Sequence, residues 1–207
     1  MMQDLLQKIE SNNIKVGVIG MGYVGLPLAI EIAKSDIQVV GIDVAESKVD
    51  AINSGESYIS DVPSEVLADQ VRRGRFAAVL DFQVVRTLDA IIICVPTPLN
   101  KTKDPDLGMV VEAVDRIIEN RRENQLVVLE STTYPGTTEE LILPKFQDAG
   151  ASVGVDFFLA FSPERVDPGN SIYKSCTTCS SISLFVHVII LYLFPQSLMR
   201  KDSFLRY

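Results

Sequence analysis

The sequence is poor in the residue types on which several kinds of chemistry depend. Its 207 residues include one histidine, His187, and three cysteines. A single imidazole gives no basis for a histidine metal site or a Ser–His–Asp triad, and three thiols cannot build a disulfide framework. Such cysteine usage suits a reducing compartment, and the expected location is the cytoplasm. A basic surplus is also missing: 27 acidic side chains face 19 basic ones, a net charge of −8. That balance argues against nucleic acid as a partner, because no excess of cations exists to neutralise phosphates. The N-terminal stretch MMQDLLQKIESNN has early acids and no apolar core segment, so it lacks the form of a secretory signal. The apolar run from Ile182 to Phe194 is 13 residues long, short of the roughly 17–25 that span a bilayer. There is no internal repeat and no low-complexity linker.

What is present is an ordinary globular composition, 47% hydrophobic and 22% charged, which excludes wholesale disorder and suits one domain with or without an appendage. The averages hide a seam. Residues 176–207 contain one acid, Asp202, and three bases, Arg200, Lys201 and Arg206, against 26 acids and 16 bases in residues 1–175. We therefore expect a domain over 1–175 followed by an unrelated apolar tail over 176–207.

Residues 1–175 alternate strand and helix signals. Short β-branched runs at Lys15–Gly20, Gln38–Asp43, Phe76–Leu80, Ala90–Val95, Gln125–Glu130 and Phe157–Phe161 read as strands. Between them, Leu26–Lys34, Glu46–Ser54, Leu107–Asn120 and Thr137–Ala149 have helical spacing, and a further helix runs to Arg73, capped by Asp61 or Ser64. Six strands apolar on both faces and separated by helices imply a doubly wound parallel α/β sheet.

Gly20-Met21-Gly22-Tyr23-Val24-Gly25 fits G-x-G-x-x-G, a weak pattern alone. Its context strengthens it, since it leaves a strand, opens a helix, and precedes Asp43 at the end of the next strand, as in a Rossmann-like dinucleotide site. Gly20 permits the tight turn, Gly22 lets backbone approach a pyrophosphate, and Gly25 allows close helix–strand packing. Amides near Tyr23 and Val24 at the helix N-terminus favour an anion. Asp43 is suited to accept ribose hydroxyls and to repel a 2′-phosphate, which selects NAD over NADP. The alternative is a structural turn with a solvated strand-end aspartate.

Three other strand ends are polar: Val95-Pro96-Thr97-Pro98, Glu130-Ser131-Thr132-Thr133 and Ser162-Pro163-Glu164-Arg165. Ligands of doubly wound sheets lie outside the carboxyl ends of strands. A half-buried Glu164 with a raised pKa is suited to act as a base. The competing reading has Thr97 and Ser131 capping helices and Glu164 in a surface turn.

Five ordered segments, VIGMGYVGLPLA, ICVPTPL, PDLGMV, VVLESTTYPGTTEE and FFLAFSPERVDPGN, resemble the UDP-glucose/GDP-mannose dehydrogenase family. SPERV with FFLAF resembles its branch acting on UDP-N-acetylhexosamines, the UDP-N-acetyl-D-mannosamine and UDP-N-acetyl-D-glucosamine 6-dehydrogenases. The resemblance covers roughly Ile14 to Lys174. It implies oxidation of the C6 hydroxyl of a nucleotide sugar to a carboxylate with two NAD. It also implies Tyr23 and Val24 at the cofactor pyrophosphate, Asp43 at the ribose and Lys48 on the adenosine side. Thr97 and Thr132 are implied at the nicotinamide end and Arg165 and Val166 at the nucleotide sugar. Glu164 is implied to activate or orient the water that hydrolyses a thioester.

The pattern then departs from the family. No stretch of this sequence matches the family's next strand, its long connecting helix with an oxyanion-stabilising lysine and asparagine, or its cysteine in a glycine-rich loop. Cys94 lies in a strand motif, and Cys176-Thr177-Thr178-Cys179 lacks the βαβ context of a redox motif and the further ligands of a zinc site, so a pair of inert thiols is the expected reading. The chain alone is expected to bind NAD without turnover. A change of reading frame near Ser175 is the favoured origin of the tail, and a membrane anchor the weaker one. The family dimerises through the connecting helix, so the resemblance supplies no oligomeric state here.

Overall fold

The computed structural model describes residues 2–100 and 105–162. The chain runs α1 (Met2–Glu10), β1 (Lys15–Ile19), α2 (Gly25–Lys34), β2 (Gln38–Ile42), α3 (Glu46–Ser54), α4 (Ser64–Arg72) and β3 (Phe76–Val79). A 3₁₀ turn at Phe82–Thr87 leads to β4 (Ala90–Ile93), α5 (Gly108–Asn120), β5 (Gln125–Leu129), α6 (Leu143–Asp148) and β6 (Phe157–Phe161). The six strands form one sheet in the order β3-β2-β1-β4-β5-β6, and every pairing is parallel. This is the doubly wound, Rossmann-like arrangement, with the strand order reversing between β1 and β4.

Parallel strands need both faces covered, and the sequence meets this with strands that are apolar past their first residue; β4 and β5 are buried at every position. On one face α1, α2, α3 and α4 pack Leu5, Ile9, Leu26, Ile30, Ile52 and Leu67 against Val16, Val18 and Val39. On the other face the 3₁₀ turn, α5 and α6 bring Val85, Val110, Ile117 and Phe146 onto Ile19, Ile91 and Phe157. Phe146 and Phe157 stack with ring centroids 4.4 Å apart. At the amino edge of the sheet, buried Asp89 accepts hydrogen bonds from Lys8 Nζ (2.9 Å), Arg122 (2.7 Å) and the Lys15 amide (2.9 Å).

Register decides what meets at the other edge. Ile19 stands opposite both Ile42 and Ile93, Ile42 opposite Val79, Ile93 opposite Leu129, and Leu129 opposite Phe161. The next residue on each strand, Leu80, Asp43, Gly20, Cys94, Glu130 and Ser162, therefore belongs to one row along the carboxyl edge.

Two local expectations are corrected and one element is added. Neither Asp61 nor Ser64 caps α4: Pro63 occupies the cap position in an extended conformation, and the Ser64 hydroxyl instead accepts the Ser57 amide at 3.0 Å. The helix expected over Thr137–Ala149 divides into a π-helical segment, Thr137–Ile142, and α6. Pro144 in the first turn of α6 has no N–H to close an α-type bond, so the α ladder cannot run through it. Helix α1, for which sequence reasoning assigns no element, buries only Leu5 and Ile9, one i, i+4 pair, and so offers little periodic signal. Among the described residues no helix is long and apolar enough to cross a membrane. The 176–207 tail, with its two cysteines, His187 and the 182–194 run, lies outside them.

Candidate functional site

The turn after β1 is built by backbone contacts that leave no room for side chains. Gly20 has φ +94°, its amide donates to Ile42 O at 2.8 Å, and a Cβ there would stand 2.7 Å from Cys94 O. A Cβ on Gly25 would fall on the carbonyl oxygen of Gly20, so α2 can begin this close to β1 only with glycine. Gly22 differs, since a Cβ there would meet nothing within 4 Å. The Gly22, Tyr23 and Val24 amides donate no hydrogen bond among the described residues. Val24 is the cap residue of α2 and Tyr23 is exposed.

Asp43 is 6% exposed. Its carboxylate accepts the Met21 amide at 2.8 Å, the Ala45 amide at 2.9 Å and Lys48 Nζ at 2.9 Å. Burial by itself would raise its pKa. The Ala45 amide, Lys48 and the Met21 amide outweigh burial and hold the carboxyl below its ordinary value. An ionised carboxylate offers about four acceptor positions, so one remains for a ligand hydroxyl. Tyr58 Oη donates to Met21 O at 2.7 Å; burial, then the neighbouring Asp43 charge, push the phenol above its ordinary pKa.

Thr97 and Thr132 meet across two strand-end loops, with Thr97 Oγ1 donating to Thr132 O at 2.7 Å. Ser131 Oγ, buried, donates to Val95 O at 2.7 Å. Neither hydroxyl caps a helix; both fasten the loop after β5 to the loop after β4. Buried Glu130 precedes them at the end of β5. Glu164, Arg165 and Val166 lie outside the described residues. Ser162, just before them, continues β6 through a bond from its amide to Leu129 O at 2.9 Å.

Sequence reasoning missed two contributors. Val44, 80% exposed, opens a cleft of about 510 Å³ also lined by Leu80, Phe82 and Arg116. Its signal was its place directly after the strand-end acid. Tyr58 reaches the turn from 37 residues away, and no local pattern announces it. Cys94 is buried, and no cluster of three or more potential metal ligands occurs among the described residues.

The model of the UDP-glucose/GDP-mannose dehydrogenase family, NAD binding domain, matches residues 14–179. The chain belongs to that family. It is similar to the UDP-N-acetyl-D-glucosamine 6-dehydrogenase of Salmonella typhi, 36% identical over 79% of this chain and 38% of that protein. It is also similar to the UDP-N-acetyl-D-mannosamine dehydrogenase of Pyrococcus horikoshii, 36% identical over 82% of this chain and 40% of that protein. Among solved structures, the Pseudomonas aeruginosa GDP-mannose dehydrogenase ternary complex superposes with a TM-score of 0.70 at 34% identity, covering 73% of this chain and 36% of that one. The chain thus spans about two-fifths of the length of the curated relatives it matches. Its cofactor is NAD, and the residues present fit it: an open glycine, undonated amides at a helix start and a strand-end carboxylate are what a dinucleotide requires.

Proposed function

We propose that this chain is the cofactor-binding part of a nucleotide-sugar 6-dehydrogenase that oxidises the C6 hydroxyl of a UDP-N-acetylhexosamine to a carboxylate with two NAD. The observation that carries the reading is the Gly20–Gly25 turn held against Asp43 with its outer amides undonated. In this reading Gly22, Tyr23 and Val24 present N–H groups to the pyrophosphate, where the start of α2 favours negative charge. Asp43 takes a ribose hydroxyl on its remaining acceptor position, and its ionised state repels a 2′-phosphate. Lys48 holds that carboxylate charged and oriented on the adenosine side, and exposed Val44 with Leu80 offers an apolar bed for the adenine ring.

The chemistry NAD supplies when bound is acceptance of a hydride at the nicotinamide ring. Thr97 and Thr132 stand at that end. The Thr97 proton is committed to Thr132 O, so its oxygen faces a ligand only as an acceptor, which suits a carboxamide N–H. Glu164 is assigned to orient water, and Arg165 and Val166 to hold the nucleotide sugar, on the strength of the SPERV match. NAD and nucleotide sugars are cytoplasmic metabolites, and the chain is assigned there.

A second reading, a module that binds NAD without turnover, is favoured by Cys94. Buried against the first turn of α2, Cys94 gives the strand-end row no accessible nucleophilic thiol. Calorimetric titration tests both. We expect one NAD bound per chain and at least tenfold weaker NADP. Equal affinity for the two, or none for either, sinks the cofactor assignment. NADH formation from UDP-N-acetyl-D-glucosamine or UDP-N-acetyl-D-mannosamine by the 207-residue chain decides for the enzyme, and its absence with NAD bound decides for the module.

A further inference from the structure

The loop between α3 and α4 contributes a side chain that neither the glycine pattern nor the family's named motifs include. Tyr58 belongs to a loop that is itself well anchored. Ile59 and Val62 are 3% and 4% exposed. The Ser57 hydroxyl bonds Ile59 N at 3.2 Å and Ile59 O at 3.1 Å, and the Ser57 amide donates to Ser64 Oγ at 3.0 Å. From this base the phenol reaches the turn after β1 and donates to the carbonyl of Met21 at 2.7 Å.

Met21 is wholly buried, and its two backbone polar groups are gripped from different sides. Its amide donates to Asp43 at 2.8 Å and its carbonyl accepts from Tyr58. No cis peptide occurs, and in a planar trans peptide the C=O and the following N–H point in opposite directions. Holding Met21 C=O toward Tyr58 therefore aims the Gly22 N–H away from Tyr58. That N–H donates no bond among the described residues and belongs to the one glycine of the turn beside which a Cβ would find open space.

We propose that Tyr58 is a positioning residue for the cofactor diphosphate, fixing the Met21–Gly22 peptide plane so that the Gly22 amide is presented to phosphate oxygens before the ligand arrives. The proposal rests on the NAD reading above and extends it to a residue with no direct ligand contact. A preset donor spares the ordering cost that binding otherwise incurs. A phenol serves better than a serine here, because it spans from a separate loop and stays protonated across the working pH range. Asp43 then has two tasks, holding the first peptide of the turn and meeting the ribose, whereas Tyr58 has one.

The test compares the 207-residue chain and Tyr58→Phe by calorimetric titration with NAD, ADP and adenosine. Loss of one preset hydrogen bond should weaken NAD and ADP about five- to tenfold, while adenosine, which lacks a diphosphate, changes less than about twofold. A uniform loss across all three ligands would mark Tyr58 as a general structural support and overturn the proposal, as would unchanged NAD affinity. Should the variant not fold, the wild-type Gly22 amide resonance serves instead. It should move on addition of ADP and stay in place with adenosine, and an unmoved resonance with ADP overturns the idea. Failure of the wild-type chain to bind NAD removes the functional reading and this proposal together, whereas unchanged affinity in Tyr58→Phe removes this proposal alone.

Discussion

Two buried aspartates fasten backbone amides at opposite edges of the sheet. Asp43 holds Met21 and Ala45 at the carboxyl edge, and Asp89 holds Lys15 at the amino edge, each also paired with lysine. Burial opposes ionisation in both, and the amides and cations win, so both carboxyls sit below the ordinary value in the folded state. A group depressed on folding contributes stability that is present above its unfolded pKa, near 3.9, and is lost as pH falls through the folded value. Thermal stability should accordingly be level at neutral pH and drop below about pH 4. Asp89→Asn should flatten that acid drop in melting experiments, and an unaltered profile would contradict the assignment. Asp43→Ala removes a charged acceptor and should weaken NAD by about ten- to a hundredfold in titration; unchanged affinity would remove its ribose role. Asp43 was legible in the sequence because its spacing from Gly20 carries a mechanism. Tyr58 was not, because a contact made across 37 residues leaves no local periodicity.

The elements themselves were read with mixed success, for reasons that follow from what each buries. The strands were plain because fully buried parallel strands are unbroken apolar runs. Helix α1 was not, since it exposes most of its length. The π-helical segment was taken for ordinary helix because composition alone does not show where Pro144 interrupts a ladder. The polar strand ends after β4 and β5 do meet, yet their hydroxyls act first on backbone: Thr97 on Thr132 and Ser131 on Val95. Ser131→Ala leaves the partly buried Val95 carbonyl without that donor and should cost about 1 kcal/mol in denaturant unfolding. Gly25→Ala drives a methyl into Gly20 O and should cost on the order of 3 kcal/mol, with loss of NAD binding. A variant that binds NAD normally would show that α2 can back away from β1.

At the scale of the whole molecule, the proposed site couples cofactor to fold, because the turn, Asp43 and Tyr58 come together only when β1, β2 and the α3–α4 loop are assembled. A ligand that binds only the folded chain adds RT ln(1 + [L]/Kd), about 2.7 kcal/mol at a hundredfold excess over Kd. The melting temperature should climb with NAD concentration, and a flat response would show that the folded chain has no site. Family and fold class were legible because they rest on many residues agreeing, whereas the strand order β3-β2-β1-β4-β5-β6 came only with the structure. The roles of Arg165 and Val166 rest on resemblance, and that of Glu164 on resemblance and its position just after β6, so all three stand or fall by mutation.

The row along the carboxyl edge has one more consequence. Neighbouring strands lie about 4.8 Å apart, so the four steps from Asp43 on β2 to Ser162 on β6 span roughly 19 Å. The edge works as a ruler. A mononucleotide lodged at Asp43 ends well short of β6, and only a molecule long enough to bridge the interval can be touched from both ends at once. In the proposed reading, length, before any specific contact, is the first thing this sheet edge would measure in a ligand.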